Sequence, residues 1–136
     1  MPDWKQLVDA ARKAQEQAYA PYSNFRVGVA LVGASGKVYL GCNVENASFG
    51  MTMCAEQGAI SAAVVAGEQK FTHMALITDS AHPESPCGAC RQVLCEFAPD
   101  LEILSISKTG VEQRWTMNEL LPMAFTPKSL VNEQPE

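Results

Sequence analysis

The chain has 136 residues, of which 47% are hydrophobic and 18% are charged, and this fits one globular domain with its own core. Ten Lys and Arg residues against fifteen Asp and Glu give a net charge of -5. This balance excludes the broad positive surface that binding to long nucleic acids requires. The charged fraction is below the usual ~25%, which is typical of a small subunit that buries surface in an oligomer.

Cysteine occurs at positions 42, 54, 87, 90 and 95. An odd number, in a chain whose first residues do not resemble an export leader, favours metal binding or thiol chemistry over a disulfide framework. The apolar stretches are far shorter than the about 18 residues of a membrane-spanning helix. We therefore expect a cytoplasmic protein that has neither a membrane nor a nucleic acid as a partner.

The hydrophobic pattern alternates between helical and strand periods along the chain. Asp3 with Gln6 and Thr116 with Glu119 have the spacing of capping boxes, and Gly67 indicates a helix end. In chain order, the pattern predicts a helix over 3–19, a β-hairpin from strands 26–33 and 38–40, a loop over 43–53, a helix over 54–66, a strand over 71–78, a helix over 87–97, strands over 101–107 and 111–115, and a short helix from Thr116.

This order of elements predicts an α/β fold, a three-layer α/β/α sandwich with a five-stranded mixed sheet. Each strand–helix–strand step should join parallel strands. The turn over 108–110 is too short for a crossover, so the last two strands should be antiparallel. We expect residues 1–126 to form a single domain and residues 127–136 a loose polar tail.

Three cysteines lie at the predicted starts of two helices that begin at the same edge of the sheet. Cys54 opens one helix, and Cys87 and Cys90 lie in the first turn of the other. Free N–H groups and the helix dipole favour thiolates at such positions. Three protein ligands leave one zinc position for water, which is typical of a catalytic site. Glu56 is placed to act as a general base rather than as a ligand.

Two other interpretations remain open at this point. The Cys-Gly-Ala-Cys sequence over 87–90 is close to a thiol-redox motif. The other is a closed structural zinc site, with a fourth ligand drawn from Cys42, Cys95, His73 and His82. Cys95 lies more than a turn deeper in its helix and is better explained as a core residue. The spacing of His82 does not exclude it.

Beyond the zinc motif, the chain resembles the small, homotetrameric cytidine deaminases from Tyr22 to Phe125. The matching segments are 54–56 (CAE), 20–25 (APYSNF), 43–47 (NVENA), 85–93 (SPCGACRQV) and 119–122 (ELLP). Several long motifs in the right order are more specific than one short pattern. The resemblance implies a catalytic domain that converts cytidine and 2′-deoxycytidine to uridine and deoxyuridine, releasing ammonia, in pyrimidine salvage.

The resemblance also implies roles for individual residues. One zinc ion per chain would be bound by Cys54, Cys87 and Cys90, and Glu56 would transfer protons. The substrate-binding groups would be Asn43 and Glu45 at the ribose 3′-hydroxyl, Phe25 against the pyrimidine, the backbone of Ala55 and Cys87 at the base edge, and Phe125 from a neighbouring subunit of a homotetramer.

Three positions depart from the usual pattern of that family. Gln57 follows Cys-Ala-Glu where Arg is usual, Phe49 replaces Tyr, and Arg26 replaces Pro. We expect Arg91 and the two helix N-termini to offset the charge of three thiolates, with Gln57 donating one weaker hydrogen bond. The missing Arg leaves a blasticidin-type or N4-modified cytidine analogue deaminase as an alternative, although the Asn-x-Glu motif over 43–45 favours a nucleoside.

Overall fold

The predicted alternation of helices and strands is present in the computed structural model, which describes residues 2–130. The elements are α1 (Trp4–Glu16), β1 (Val27–Gly33), β2 (Val38–Cys42), α2 (Ala55–Val65), β3 (Phe71–Thr78), α3 (Gly88–Phe97), β4 (Glu102–Ile106), β5 (Glu112–Thr116), α4 (Met117–Leu120) and α5 (Pro127–Leu130). A 3-10 turn over Phe49–Met51 lies in the loop before α2.

The five strands form one mixed sheet in the order β2-β1-β3-β4-β5. Strand β1 is antiparallel to both β2 and β3, so β2 and β3 run in the same direction, as the step through α2 requires. Strands β3 and β4 are parallel, and β4 and β5 are antiparallel. The predicted fold class and the antiparallel final pair are therefore confirmed.

Helices cover both faces of this sheet. On one face, Leu7 and Ala11 of α1 pack against Ile77 and its neighbours on β1, β3 and β4. On the other face, Ala59 of α2 and Leu94 of α3 lie in the larger core. The central strands β1, β3 and β4 are buried on both faces, which explains why they are nearly continuous apolar runs in the sequence.

Helix α1 ends at Glu16 rather than near residue 19. The reason is tertiary, because the backbone of Tyr19 is used in pairing instead of in the helix. Its N–H donates to the Asn43 carbonyl at 3.0 Å, and its carbonyl accepts from the N–H of Glu45 at 2.8 Å. The loop over 43–53 is thus partly ordered by strand-like bridges, which no local period predicts.

The predicted loose tail begins with a single helical turn, Pro127–Leu130, and its residues 131–136 lie outside the described part of the chain. All five cysteines are free thiols. In the part of the chain that the structure describes, no helix combines the length and the hydropathy needed to cross a membrane.

Gly41 sets the distance between β2 and α2. A Cβ at this position would lie 2.1 Å from the Ala55 carbonyl oxygen and 2.7 Å from the Ala59 nitrogen. Both are backbone atoms of α2, so they cannot move aside without moving the helix. The absence of a side chain at Gly41 therefore allows the start of α2 to lie directly on the sheet.

We expect Gly41→Ala to destabilise the protein by about 1–3 kcal/mol, because the added methyl group overpacks this contact. The free energy of unfolding, from urea titration at a fixed protein concentration, measures the effect. The control is Gly58→Ala in α2, where the nearest atom to the new Cβ is the Cys42 carbonyl oxygen at 3.8 Å. That change should be neutral or stabilising by up to about 1 kcal/mol. Equal stabilities would contradict the role given to Gly41.

Candidate metal centre and active site

Three cysteine sulfurs converge where α2 and α3 begin. Cys54 is the N-cap residue of α2, Cys87 is the N-cap residue of α3, and Cys90 lies in the first turn of α3. Their Sγ atoms all lie within 4.8 Å of one another. Residues three apart on a helix share a face, which brings Cys87 and Cys90 together, and the close packing of α2 on the sheet at Gly41 adds Cys54 to them.

The surroundings of these sulfurs act in opposite directions on Cys54 and on Cys90. Neither Cys54 nor Cys87 caps its helix with a side-chain hydrogen bond, so the partial positive charge of each helix N-terminus is available to sulfur. A hydrogen bond from Cys90 lowers the pKa of Cys54 to about 6. The same pairing, together with burial, raises the pKa of Cys90. The titrations of Cys54 and Cys90 are therefore linked, and a cation bound by the three sulfurs would stabilise them as thiolates.

This set of soft sulfur donors fits zinc. Within residues 2–130, no His, Asp, Glu or further Cys joins the three sulfurs as a fourth ligand. The alternatives for a closed site lie elsewhere: Cys95 is in the core, the Nε2 atom of His73 is 3.4 Å from the Glu102 carboxylate, Cys42 is half-buried and His82 is exposed. The described residues thus support a site with three protein ligands.

Glu56 lies in the first turn of α2 beside this cluster and is only 5% exposed. Burial raises the pKa of its carboxyl group to about 7, and the nearby Cys54 thiolate contributes to the same shift. A carboxyl group with a pKa near neutrality can accept and release a proton in turn, which is the requirement for general acid–base catalysis. It is not a member of the three-sulfur group.

Gln57 and Arg91 contact the cluster in different ways. The Nε2 atom of Gln57 donates to the Sγ atom of Cys90 at 3.9 Å, a long hydrogen bond to a sulfur acceptor. The described hydrogen bonds of Arg91 end on the Pro86 carbonyl at 2.8 Å, the Ser85 hydroxyl at 2.6 Å and the Leu120 carbonyl at 2.9 Å. Arg91 therefore holds the segment that carries Cys87, and these three bonds do not reach the sulfurs.

Asn43 and Glu45 both contact the segment before β1. The Oδ1 atom of Asn43 accepts from the N–H of Val27 at 2.9 Å, and its Nδ2 atom donates to the Phe25 carbonyl at 2.8 Å. The Oε1 atom of Glu45 accepts from the N–H groups of residues 22 and 23 at 3.0 and 3.1 Å. The two side chains thus connect the loop after β2 to the loop that carries the Phe25 ring.

The two predicted aromatic contacts are at the surface, with Phe25 37% exposed and Phe125 59% exposed. The Nε2 atom of Gln92 donates to the Phe125 carbonyl at 2.8 Å, which ties the segment after α4 to α3. Ala55 is buried as the first residue of α2. The sequence does not predict the contacts of Gln92 and of Ser23. The only indication in the sequence that either residue matters is that each lies inside a segment resembling the cytidine deaminases, 20–25 for Ser23 and 85–93 for Gln92.

Zinc-dependent deaminases are the class of protein that this fold and this cysteine cluster define. The family model described as the cytidine and deoxycytidylate deaminase zinc-binding region matches residues 1–105, and the chain belongs to that family. A cytidine deaminase of Sporosarcina psychrophila is 43% identical over 94% of this chain and 95% of its own length. One of Halalkalibacterium halodurans is also 43% identical, over 94% of this chain and 98% of its own length.

The architecture is similar to solved structures of the same family. A crystal structure of cytidine deaminase from Burkholderia pseudomallei superposes with a TM-score of 0.87 at 46% identity, covering 92% of this chain and all of that chain. The cytidine deaminase from Mycobacterium tuberculosis superposes with a TM-score of 0.81 at 37% identity over 92% of this chain. The family and the cysteine cluster together identify zinc as the metal of this chain.

We expect Arg91→Ala to weaken zinc retention and to destabilise the protein by about 1–3 kcal/mol, because three donors that hold the segment before α3 are lost. Zinc per chain after dialysis against a chelator, and the midpoint of thermal unfolding, measure the two effects. The matched control is Arg12→Ala, on the exposed side of α1. If both variants retained zinc as the unmodified protein does, Arg91 would not hold the ligand segment.

Proposed function

We propose that the protein catalyses the hydrolytic deamination of cytidine and 2′-deoxycytidine to uridine and deoxyuridine, releasing ammonia. The observation that carries this proposal is the burial of Glu56 beside the sulfurs of Cys54, Cys87 and Cys90. The reaction belongs to pyrimidine salvage. The three thiols must stay reduced to bind metal, which supports the cytoplasm as its location.

Bound zinc, one ion per chain, would supply the Lewis acidity that makes a water molecule a stronger acid and nucleophile. Glu56 accepts the proton of the attacking water, in the role that the glutamate of zinc deaminases has generally. Its carboxyl group then donates that proton to N3 of the pyrimidine, accepts a second proton from the new hydroxyl at C4, and donates this second proton to the departing amino group, so that ammonia leaves and the C4 carbonyl forms. The raised pKa of Glu56, near 7, suits both directions of transfer.

The nucleoside is held by groups from the loops before β1 and after β2 and from the starts of α2 and α3. Asn43 and Glu45 bind the ribose 3′-hydroxyl, since an amide and a carboxylate together offer the donor and the acceptor that a hydroxyl needs. Phe25 packs against the pyrimidine ring. The backbone groups of Ala55 and Cys87 bind the base edge. The contacts of Asn43 and Glu45 with the loop that carries Phe25 support this division of roles, because they join the sugar and base subsites.

Glu56→Gln should lower cytidine turnover at least about 100-fold while leaving the zinc content unchanged, because the amide keeps the shape but cannot accept the proton. An ultraviolet assay of cytidine conversion, run beside zinc analysis, measures both. The matched control is Glu96→Gln on the exposed side of α3, which should keep full activity.

The same assay separates the other candidate functions. Conversion of blasticidin S or of an N4-modified cytidine, with no conversion of cytidine or deoxycytidine, would favour the analogue deaminase. A zinc-loaded protein that converts none of them, and that Glu56→Gln leaves unchanged in every respect, would instead be a structural zinc or thiol-redox module.

We also propose that the protein assembles as a homotetramer. Several large apolar side chains are exposed on the single chain, and they include Tyr22, Phe49, Met51, Met123 and Phe125. Tyr22 and Phe49 line the same cleft as Glu45. Exposed apolar surface of this kind marks protein–protein contacts. In the tetramer, Phe125 reaches the pyrimidine in the site of a neighbouring subunit.

Subunit mixing tests the role of Phe125 in a neighbouring site. We expect Phe125→Ala and Glu56→Gln each to lower turnover, and tetramers that contain both kinds of subunit to recover activity. In a mixed tetramer, a subunit with intact Glu56 receives an intact Phe125 from its neighbour. Size-exclusion chromatography should give four times the monomer mass. A fully active monomer, or mixed tetramers no more active than the variants alone, would refute the arrangement.

A further inference from the structure

The hydroxyl of Ser23 lies between two groups of the proposed nucleoside site. Its Oγ atom donates to the Oε2 atom of Glu45 and accepts from the N–H of Phe25, the latter at 3.0 Å. Because the oxygen is occupied as an acceptor from Phe25, its single hydrogen is directed at Glu45. Within the described residues, Ser23 is thus the one side chain that hydrogen-bonds both to the Glu45 carboxylate and to the backbone of Phe25.

The hydrogen bonds to Glu45 fix where its carboxylate can still bind a ligand. Within residues 2–130, Oε1 accepts from the N–H groups of Tyr22 and Ser23, and Oε2 accepts from the Ser23 hydroxyl. A carboxylate offers about four acceptor positions, so these bonds leave one, on Oε2. The bond from Ser23 also lowers the pKa of Glu45, which keeps the group an acceptor at neutral pH.

The Glu45 side chain lines an open cleft of about 370 Å³ together with Tyr22, Ser23, Phe49 and Thr52. The cleft is bounded by an edge-to-face contact of the Tyr22 and Phe49 rings, with centroids 6.0 Å apart. A hydroxyl group that enters the cleft can donate to Oε2 only if the carboxylate keeps its present rotation. Two backbone N–H groups hold Oε1, and the Ser23 hydroxyl is the described donor that holds Oε2 itself.

A second serine in the chain has the same local pattern without a ligand site. The Oγ atom of Ser35 donates to Oε1 of Glu68 and accepts from the N–H of Lys37 at 3.3 Å, in the turn between β1 and β2. Both serines are exposed, and each contacts a glutamate and the N–H two residues later. The pattern by itself therefore stabilises a turn, and only at Ser23 is the glutamate a proposed substrate group.

We propose that Ser23 is a positioning residue for the sugar, which orients the Glu45 carboxylate so that its Oε2 atom accepts from the ribose 3′-hydroxyl. This inference rests on the proposed function. It assigns to Ser23 a contribution to nucleoside affinity that acts through Glu45 and not through the zinc centre. The hydroxyl contacts neither the metal ligands nor Glu56 among its described hydrogen bonds.

We expect Ser23→Ala to raise the KM for cytidine about tenfold, the effect of roughly one hydrogen bond to a charged group, with little change in kcat. With 2′,3′-dideoxycytidine, which lacks the hydroxyl that Glu45 accepts from, the variant and the unmodified protein should have the same KM. Ser23→Thr keeps a hydroxyl and should restore the lower KM for cytidine. Zinc content should be the same in all of them.

Two controls separate positioning from general stabilisation. Ser35→Ala removes the equivalent serine bond at Glu68 and should leave the KM for both nucleosides unchanged, whatever it does to the unfolding temperature. In a Glu45→Ala background, Ser23→Ala should have no further effect on KM, because two residues that act as one unit are not additive. Additive effects would mean that Ser23 acts independently of Glu45.

The results also distinguish this inference from the proposed function. A protein that deaminates cytidine, but whose KM is unchanged in Ser23→Ala or rises equally for cytidine and dideoxycytidine, overturns the positioning role alone. An unmodified, zinc-loaded protein that deaminates neither nucleoside overturns both, since Ser23 then has no sugar to position. If Ser23→Ala were too unstable to assay, Ser23→Cys, which keeps the volume but donates weakly, should raise the KM for cytidine selectively.

Discussion

The site depends on one packing constraint, the closeness with which α2 lies on β2. Three sulfurs can share one metal ion only if the starts of two helices are brought within a few ångströms of each other. Helix α3 supplies two of the sulfurs from its own first turn, so its geometry is local. Cys54 comes from another helix, and its position is set by the contact of the Ala55 carbonyl with the backbone at Gly41. Glu56 lies in the first turn of the same helix, and its burial there gives its carboxyl group a pKa suited to proton transfer.

Features that are local in sequence could be predicted. The strands and helices follow from apolar periods, and the capping box at Thr116 is present with both of its hydrogen bonds. The zinc ligands could be proposed because Cys54, Cys87 and Cys90 lie at helix starts, where both the spacing and the electrostatics favour a shared cation. The activity was predicted from the resemblance of several segments to cytidine deaminases, because the hydrophobic pattern indicates a fold and not a reaction.

Features that depend on tertiary pairing could not be predicted. The end of α1 is set by the pairing of Tyr19 with residues 43–45, and this involves two segments more than 20 residues apart. Likewise, the position of Arg91 next to Cys90 in the sequence does not predict that its guanidinium group binds Ser85 and Leu120. The Ser23 hydroxyl has no signature of its own, because its function comes from the glutamate that the fold brings beside it.

The charge balance of the metal centre depends both on local features that the sequence predicts and on tertiary contacts that it does not. Three thiolates on Zn²⁺ carry a net charge of about -1, which opposes the acidity that the ion gives to water. Gln57 contributes only a neutral donor at 3.9 Å, and the described bonds of Arg91 are directed at carbonyl and hydroxyl oxygens. The N-termini of α2 and α3, each of which carries about half a unit of positive charge, begin at Cys54 and Cys87 and contribute compensating positive potential there. The two helices thus serve both as the scaffold that places the sulfurs and as electrostatic partners of those sulfurs.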